Sequence, residues 1–254
     1  MVNKIYQALN RINDKKNKLD SYRPLPPELI NNLEQYYAVD YTYNSNAIEG
    51  NTLSLSETAI VVEQGIAIGG KTIREHLEAI DHMRAIDHIK IVARKTRSEI
   101  AIDDILDIHK IVLQKIDYLN AGVFRKIGVR ISGSNTIFPN YAKVPLLMVD
   151  FMQWLHATNE HPIIIAALAH FKLVSIHPFV DGNGRTARLL MNLLLLQQGY
   201  PLAIIKQTHR SEYIHSIETA RTTDDYSNFY MIVLNAVEES LDNYLQAITE
   251  SDLS

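Results

Sequence analysis

Apolar residues recur every three to four positions along almost the whole chain, and that spacing confines it to a fold built of helices. Val2, Ile5, Tyr6, Leu9 and Ile12 fall on one face of a first helix whose other face carries Lys, Asn and Asp. The run Arg23-Pro24-Leu25-Pro26-Pro27 cannot be helical, and Pro27 suits the first position of a second helix. That helix carries Leu29, Ile30, Leu33, Tyr36 and Tyr37 and continues to Glu49, where Gly50 can stop it. Ser54-Leu55-Ser56-Glu57 is a capping box that opens a short helix closing near Gly65. Further helices are expected at about 72–94, 98–117, 145–158, 162–175, 183–198, 210–221 and 225–248. The period changes only between 124 and 142. There Val129 and Ile131, a Ser132-Gly133-Ser134-Asn135 turn, then Ile137 and Phe138 read as a small β-hairpin. The expected fold class is all-α with one hairpin.

Composition narrows the chemistry. The 254 residues make one large domain or two small ones and can bury a core without staples. Zero cysteines exclude disulfide scaffolds, thiolate zinc sites and cysteine nucleophiles together. A net charge of −4 supplies no global field for nucleic acid. The polar N-terminus lacks the apolar core of a signal peptide, and the longest apolar run, Leu189 to Leu196, is broken by Asn192. It falls far short of the ~18 residues of a membrane span. A soluble, cytoplasmic protein with no membrane or nucleic-acid partner is the expectation.

The chemistry concentrates in 175–188. Asp181-Gly182-Asn183-Gly184 is a turn between two strongly apolar helices. A plain helix–turn–helix connection with a surface histidine would account for that turn alone. It does not account for two glycines that let successive amides face one concavity at a helix N-terminus, an anion nest. Nor does it account for Arg185 and Arg188, three apart on the first turn, where cations oppose the helix dipole. An anion is therefore expected there, and a polyphosphate suits best. Asp181 is placed to hold a Mg²⁺ bridging phosphates, and His177 to take a proton from an attacking hydroxyl. These are the parts for in-line displacement at phosphorus.

The residues His177-x-Phe179-x-Asp181-Gly182-Asn183-Gly184-Arg185-x-x-Arg188 fill every position of the Fic signature, and about 40–240 of the chain resembles Fic sequence. The resemblance implies a helical enzyme that transfers AMP from ATP to a hydroxyl of a protein target. In it His177 is the base, Asp181 the Mg²⁺ ligand, and Gly182, Asn183 and Gly184 the phosphate cradle. Arg185 would meet the α/β phosphates and Arg188 the γ-phosphate, with Thr186 and Ala187 in the same nucleotide-binding stretch. Ser45-Asn46-Ala47-Ile48-Glu49-Gly50 is similar to the Fic inhibitory motif, so Ser45, Glu49 and Gly50 are expected to inhibit in cis through Arg188. Residues 1–50 would then be a regulatory front of the globule whose catalytic part is 51–250. In relatives of this arrangement the same glutamate also supports AMP removal. The hairpin corresponds to the family's flap, bringing Ser134, Asn135, Thr136 and Ile137 near nucleotide and target. Tyr213 resembles a nucleotide-pocket residue of relatives, with Ile214 and Arg221 continuing the pocket where a close relative has Tyr and Asn. That departure leaves the base open: UTP, GTP or a phosphocholine donor stand as alternatives to ATP. A nucleotide-sensing module with little turnover is the reading from another class. Relatives often dimerise, so a homodimer is an open expectation.

Other polar residues are read as structural. His76, His82 and His88, six apart, fall on different helix faces and do not suit a metal site. Glu78 with His82 reads as a surface pair, Asp103, Asp104 and Asp107 as a solvated helix face, and His170 as a core histidine. Tyr36, Tyr37, Tyr41 and Tyr43 read as helix packing, since no basic residues interleave with them.

Overall fold

The computed structural model describes residues 2–130 and 136–251. Among the described residues the α-helices run in order: α1 Val2–Ser21, α2 Pro27–Ile48, α3 Leu55–Ala59, α4 Ile73–Val92, α5 Ile102–Leu113, α6 Val144–Ala157, α7 Pro162–Ile176, α8 Asn183–Gln197, α9 Arg210–Thr223 and α10 Ser227–Ser251. The axis of the fold is α8, which meets α2, α4, α5 and, most extensively, α7. Leu189, Leu190, Leu193 and Leu195 are all fully buried. Each such leucine contributes about 2 kcal/mol by transfer from water, so the helix carrying the motif cannot shift without a large loss. α1 lies along α10, where Arg11 and Lys15 reach Glu238 and Asp242 across an exposed seam. One connected apolar cluster extends from Ala8 in α1 to Ile248 in α10. No described helix is long and apolar enough to cross a membrane.

Local signals fix most helix ends. Ser54 and Glu57 form the expected box, and Thr72 with Glu75 forms a second at the start of α4. α3 runs on as a π-helical turn, Ile60–Gln64, which Gly65 ends with φ 68. α5 is shorter than the 98–117 expected. The Glu99 carboxylate accepts from the Thr96 amide and winds 97–99 into a separate tight turn, and the Asp104 carboxylate then accepts from the Ala101 amide. Asp104 also binds Lys95 at 2.6 Å and is buried, so it is not part of a solvated face; Asp103 and Asp107 are exposed. Tyr37 and Tyr41 pack in the core, while Tyr36 is exposed.

The expected hairpin is not seen among the described residues. Its turn, 131–135, lies outside the described residues, and no strand occurs among the described ones. Arg125 joins the segments that flank it. Its buried guanidinium donates to the carbonyls of Ile127 (2.9 Å), Pro139 (2.6 Å) and His177 (2.7 Å). The segments on either side of 131–135 are therefore tied through a cation.

Candidate active site

The loop between α7 and α8 is held from three sides. His177 ends α7 in the left-handed region, φ 50, where the chain leaves the helix. Phe179 is fully buried, with its ring stacked on His109 at 3.6 Å between centroids. The Asn183 side chain closes on the loop, accepting from the Phe179 amide (3.0 Å) and donating to the Phe179 carbonyl (2.9 Å). Asn183 is thus a brace, and only its backbone is left to face an anion. His109 accepts from the Gly122 amide at Nδ1, so its proton sits on Nε2 and donates to the Asp181 carbonyl at 3.0 Å. Burial pushes the His109 imidazole down to about 4, which keeps that tautomer neutral.

His177 itself is neutral at ordinary pH. Burial is the largest cause, and with Arg125 and Arg221 nearby its imidazole falls to about 4. Its ring stacks on Phe138 at 4.0 Å, and Nδ1 faces the Val174 carbonyl at 3.4 Å. A carbonyl can only accept, so the proton lies on Nδ1 and the lone pair on Nε2.

The two arginines differ. Arg188 donates to Glu49 Oε1 (2.7 Å), to the Ser45 carbonyl (2.8 Å) and hydroxyl (3.1 Å), and to the Tyr213 hydroxyl (3.4 Å). Burial disfavours its charge, but Glu49 and Tyr213 outweigh this and raise its pKa. Tyr213, already an acceptor, passes its own proton to His170 Nε2 at 2.7 Å. His170 is the expected core histidine, held neutral by burial at about 3, yet it terminates this relay. Arg185 is equally buried but has only long contacts, Glu78 at 3.4 Å and Asp181 at 3.5 Å, and its Nε and Nη1 make no hydrogen bond.

Glu49 follows α2 directly, and Gly50 turns the chain back with φ 101. Its carboxylate lies on the backbone at the start of α8: a Cβ at Gly184 would collide with Glu49 Oε1. Ser45, Glu49, Gly184, Arg188 and Tyr213 therefore converge. With His177 and Asp181 all but the buried Ser45 line a cavity of about 470 Å³, which continues past Ile214 to Arg221. Arg221 donates to the Thr136 hydroxyl at 3.0 Å and lies over Phe138. Ile137 is 84% exposed and turned away. Ser134 and Asn135 lie outside the described residues. The side chains of Thr186 and Ala187 are fully buried in the core and do not face the cavity. A slightly larger cavity, about 590 Å³, opens near Leu25, Leu196 and Tyr244, but its Lys90 and Glu34 already pair with each other.

Asp181 is half-exposed. Burial alone would raise its carboxyl, but Arg185, the Gly182 amide and Arg74 outweigh that and lower it. Glu78 and His82 are not the expected surface pair. His82 is fully buried and shares a hydrogen bond with Thr42, while Glu78 faces Arg74 and Arg185. His76 accepts from the Ile68 amide. Among the described residues no group of three or more His, Cys, Asp or Glu could hold a metal.

Sequence reasoning did not single out Arg74, His109, Arg125 or Arg210, whose Nε donates to the Ile48 carbonyl. Of these, only His109 carried a local signal: it shares the apolar face of α5 with Ile105 and Val112.

The Fic/DOC family matches residues 99–195. A Drosophila melanogaster protein named protein adenylyltransferase Fic is 41% identical over 85% of this chain and 44% of its own length. The protein of that name from Culex quinquefasciatus is 38% identical over 96% of this chain and 49% of its own. The chain thus spans less than half the length of these relatives. Among solved structures, Fic-1 from C. elegans superposes with TM-score 0.86 at 36% identity, covering 97% of this chain and 73% of that one. A Fic domain containing signaling protein from Bacteroides thetaiotaomicron reaches TM-score 0.86 at 26% identity, over 94% and 98% of the two chains.

Proposed function

The chain belongs to the Fic/DOC family, and on that premise we propose that it is a protein adenylyltransferase, moving AMP from ATP to a Ser, Thr or Tyr hydroxyl of a target protein and releasing pyrophosphate. The observation that carries this reading is the seat taken by Glu49, a carboxylate lying against Gly184 and on Arg188 at the N-terminus of α8. Open amides and the positive helix end make that seat an anion site. A place that draws in a carboxylate of its own chain suits a phosphate of the substrate.

In this reading His177, neutral and with Nε2 open, takes the proton of the target hydroxyl as its oxygen attacks the α-phosphorus. Arg185 and Arg188 stabilise the charge that gathers on the phosphate oxygens as pyrophosphate leaves. Asp181 fits a Mg²⁺, an ion that typically takes one or two carboxylates and completes its shell with phosphate and water oxygens. When bound, such an ion neutralises charge between neighbouring phosphates.

Glu49 acts as the inhibitor. While it holds Arg188, that guanidinium is not free for the terminal phosphate, and ATP is kept from a productive pose. Glu49→Gly is expected to gain one AMP in intact mass after incubation with ATP and Mg²⁺. The gain over wild type should be at least about tenfold, less than a hydrogen bond to a charged group is worth. The double variant with His177→Ala should gain nothing. No gain in Glu49→Gly sinks the reading. The partly exposed Glu49 carboxylate, lining the same cavity as His177, also supports the reverse task, orienting water to release AMP from a modified target. At the far end of the cavity Arg221 offers only donors, which suit acceptor-bearing base edges. UTP and GTP are therefore the competitors to set against ATP in the same variant.

A further inference from the structure

Asp181 is held by cations that the chain itself supplies. Its Oδ1 accepts from the Gly182 amide at 2.6 Å and lies 3.5 Å from Arg185 Nη2. Its Oδ2 accepts from Arg74 Nη2 at 2.9 Å. Arg74 comes from the first turn of α4, 107 residues away in sequence, and its Nε donates to Glu78 Oε1 at 3.1 Å. Glu78 Oε1 also faces Arg185 Nη1 at 3.4 Å, so two acids and two arginines alternate around a closed ring.

The members of the ring are not equally free. Arg185 and Glu78 are 3% and 12% exposed in their side chains, whereas Arg74 and Asp181 are 57% and 46% exposed. Arg74 is thus the member that can swing into solvent, keeping Glu78 as its partner. Arg185 stays in place with the same glutamate. Both Asp181 oxygens have a donor in this arrangement, and the outer one has a full positive charge upon it.

We propose that Arg74 is a built-in counter-cation of Asp181, filling the carboxylate's outer oxygen until a divalent cation displaces it. This rests on the reading of Asp181 as the cation ligand. Arg74 then weakens cation binding, because the incoming ion meets a like charge on the oxygen it needs and must break a charge-assisted hydrogen bond. The pair is half in water, which limits the effect to about two- to fivefold. Arg74 acts as a positioning residue: it touches no reacting atom and works through Asp181.

The test is Mn²⁺ titration of the full chain without nucleotide, followed by electron paramagnetic resonance, with Mn²⁺-induced thermal shifts as a second readout. Arg74→Ala should bind Mn²⁺ about two- to fivefold tighter than wild type. Arg74→Glu, which adds a carboxylate, should bind tighter still, and Arg74→Lys should resemble wild type. Asp181→Asn should lose the binding. Arg74→Ala equal to or weaker than wild type overturns the counter-cation role. Asp181→Asn with wild-type affinity, or no binding in any variant, overturns the assignment of Asp181 itself, whatever the order among the Arg74 variants. Arg74 is exposed, so its variants are expected to fold, and unchanged melting without Mn²⁺ checks this.

Discussion

Arg185 and Arg188 stand three residues apart on one turn of α8, almost equally buried, and are satisfied in opposite ways. Arg188 has an acceptor for each terminal nitrogen, drawn from α2 and α9. Arg185 has two contacts near the limit of ion pairing and two nitrogens with no hydrogen bond. Unsatisfied buried donors cost about 1–3 kcal/mol, which a fold tolerates where a ligand will later supply the acceptors. One arginine is therefore closed off by the chain's own glutamate, and the other, buried behind the cavity wall, is under-satisfied. In the proposed reading, inhibition acts through Arg188, and an incoming phosphate would supply the acceptors that Arg185 lacks.

Three measurements can break or sharpen this contrast. Arg188→Ala should have the largest effect, about 3 kcal/mol lost in denaturant unfolding, because it strips buried partners on two helices. If it costs no more than Arg185→Ala, the contrast fails. Acid probes what the two ends share, since each is backed by a buried neutral imidazole: His170 behind Tyr213, and His109 behind the Asp181 carbonyl. Their folded pKa values, about 3 and about 4, lie below the ordinary 6.5, so the unfolded chain binds protons first. Stability is then complete above about pH 6.5 and is lost as pH falls toward 4, by roughly 3 kcal/mol for His109 alone. A melting temperature that does not change from pH 7 to pH 4.5 would refute this. Arg185→Ala should cost least, about 1 kcal/mol, because little hydrogen bonding is lost. Its effect should appear instead as weakened ATP binding in the Glu49→Gly background, measured by calorimetry.

What could be read from the sequence follows the range of the forces. The capping boxes, Pro27, Gly50 and the Asp181–Gly184 turn act within four residues, and they place the helices and the nest. The Ser45–Glu49 spacing and the arginine pair were legible because one helix turn brings such positions together. Arg125, Arg74 and Glu78 were not, because their partners lie 52, 107 and 107 residues away, between Glu78 and Arg185 as between Arg74 and Asp181. A charged side chain on a helix looks the same in sequence whether it meets water or a distant carboxylate. The alternation around the Ser/Gly/Asn turn gave no hint of Arg125, whose guanidinium joins the carbonyls of Ile127 and Pro139 on either side of it.

The crowding at Gly184 limits how this protein can drift. Any side chain there would displace Glu49, and in the proposed reading it would also fill the space a phosphate needs, so a change at Gly184 would not relieve inhibition without harming the chemistry. On the same reading, release would come from the end of α2, at Ser45, or from Glu49 just beyond it, the two residues that hold Arg188. Lineages that shed such restraint while keeping the chemistry should therefore carry the change at Ser45 or Glu49 and leave the start of α8 untouched.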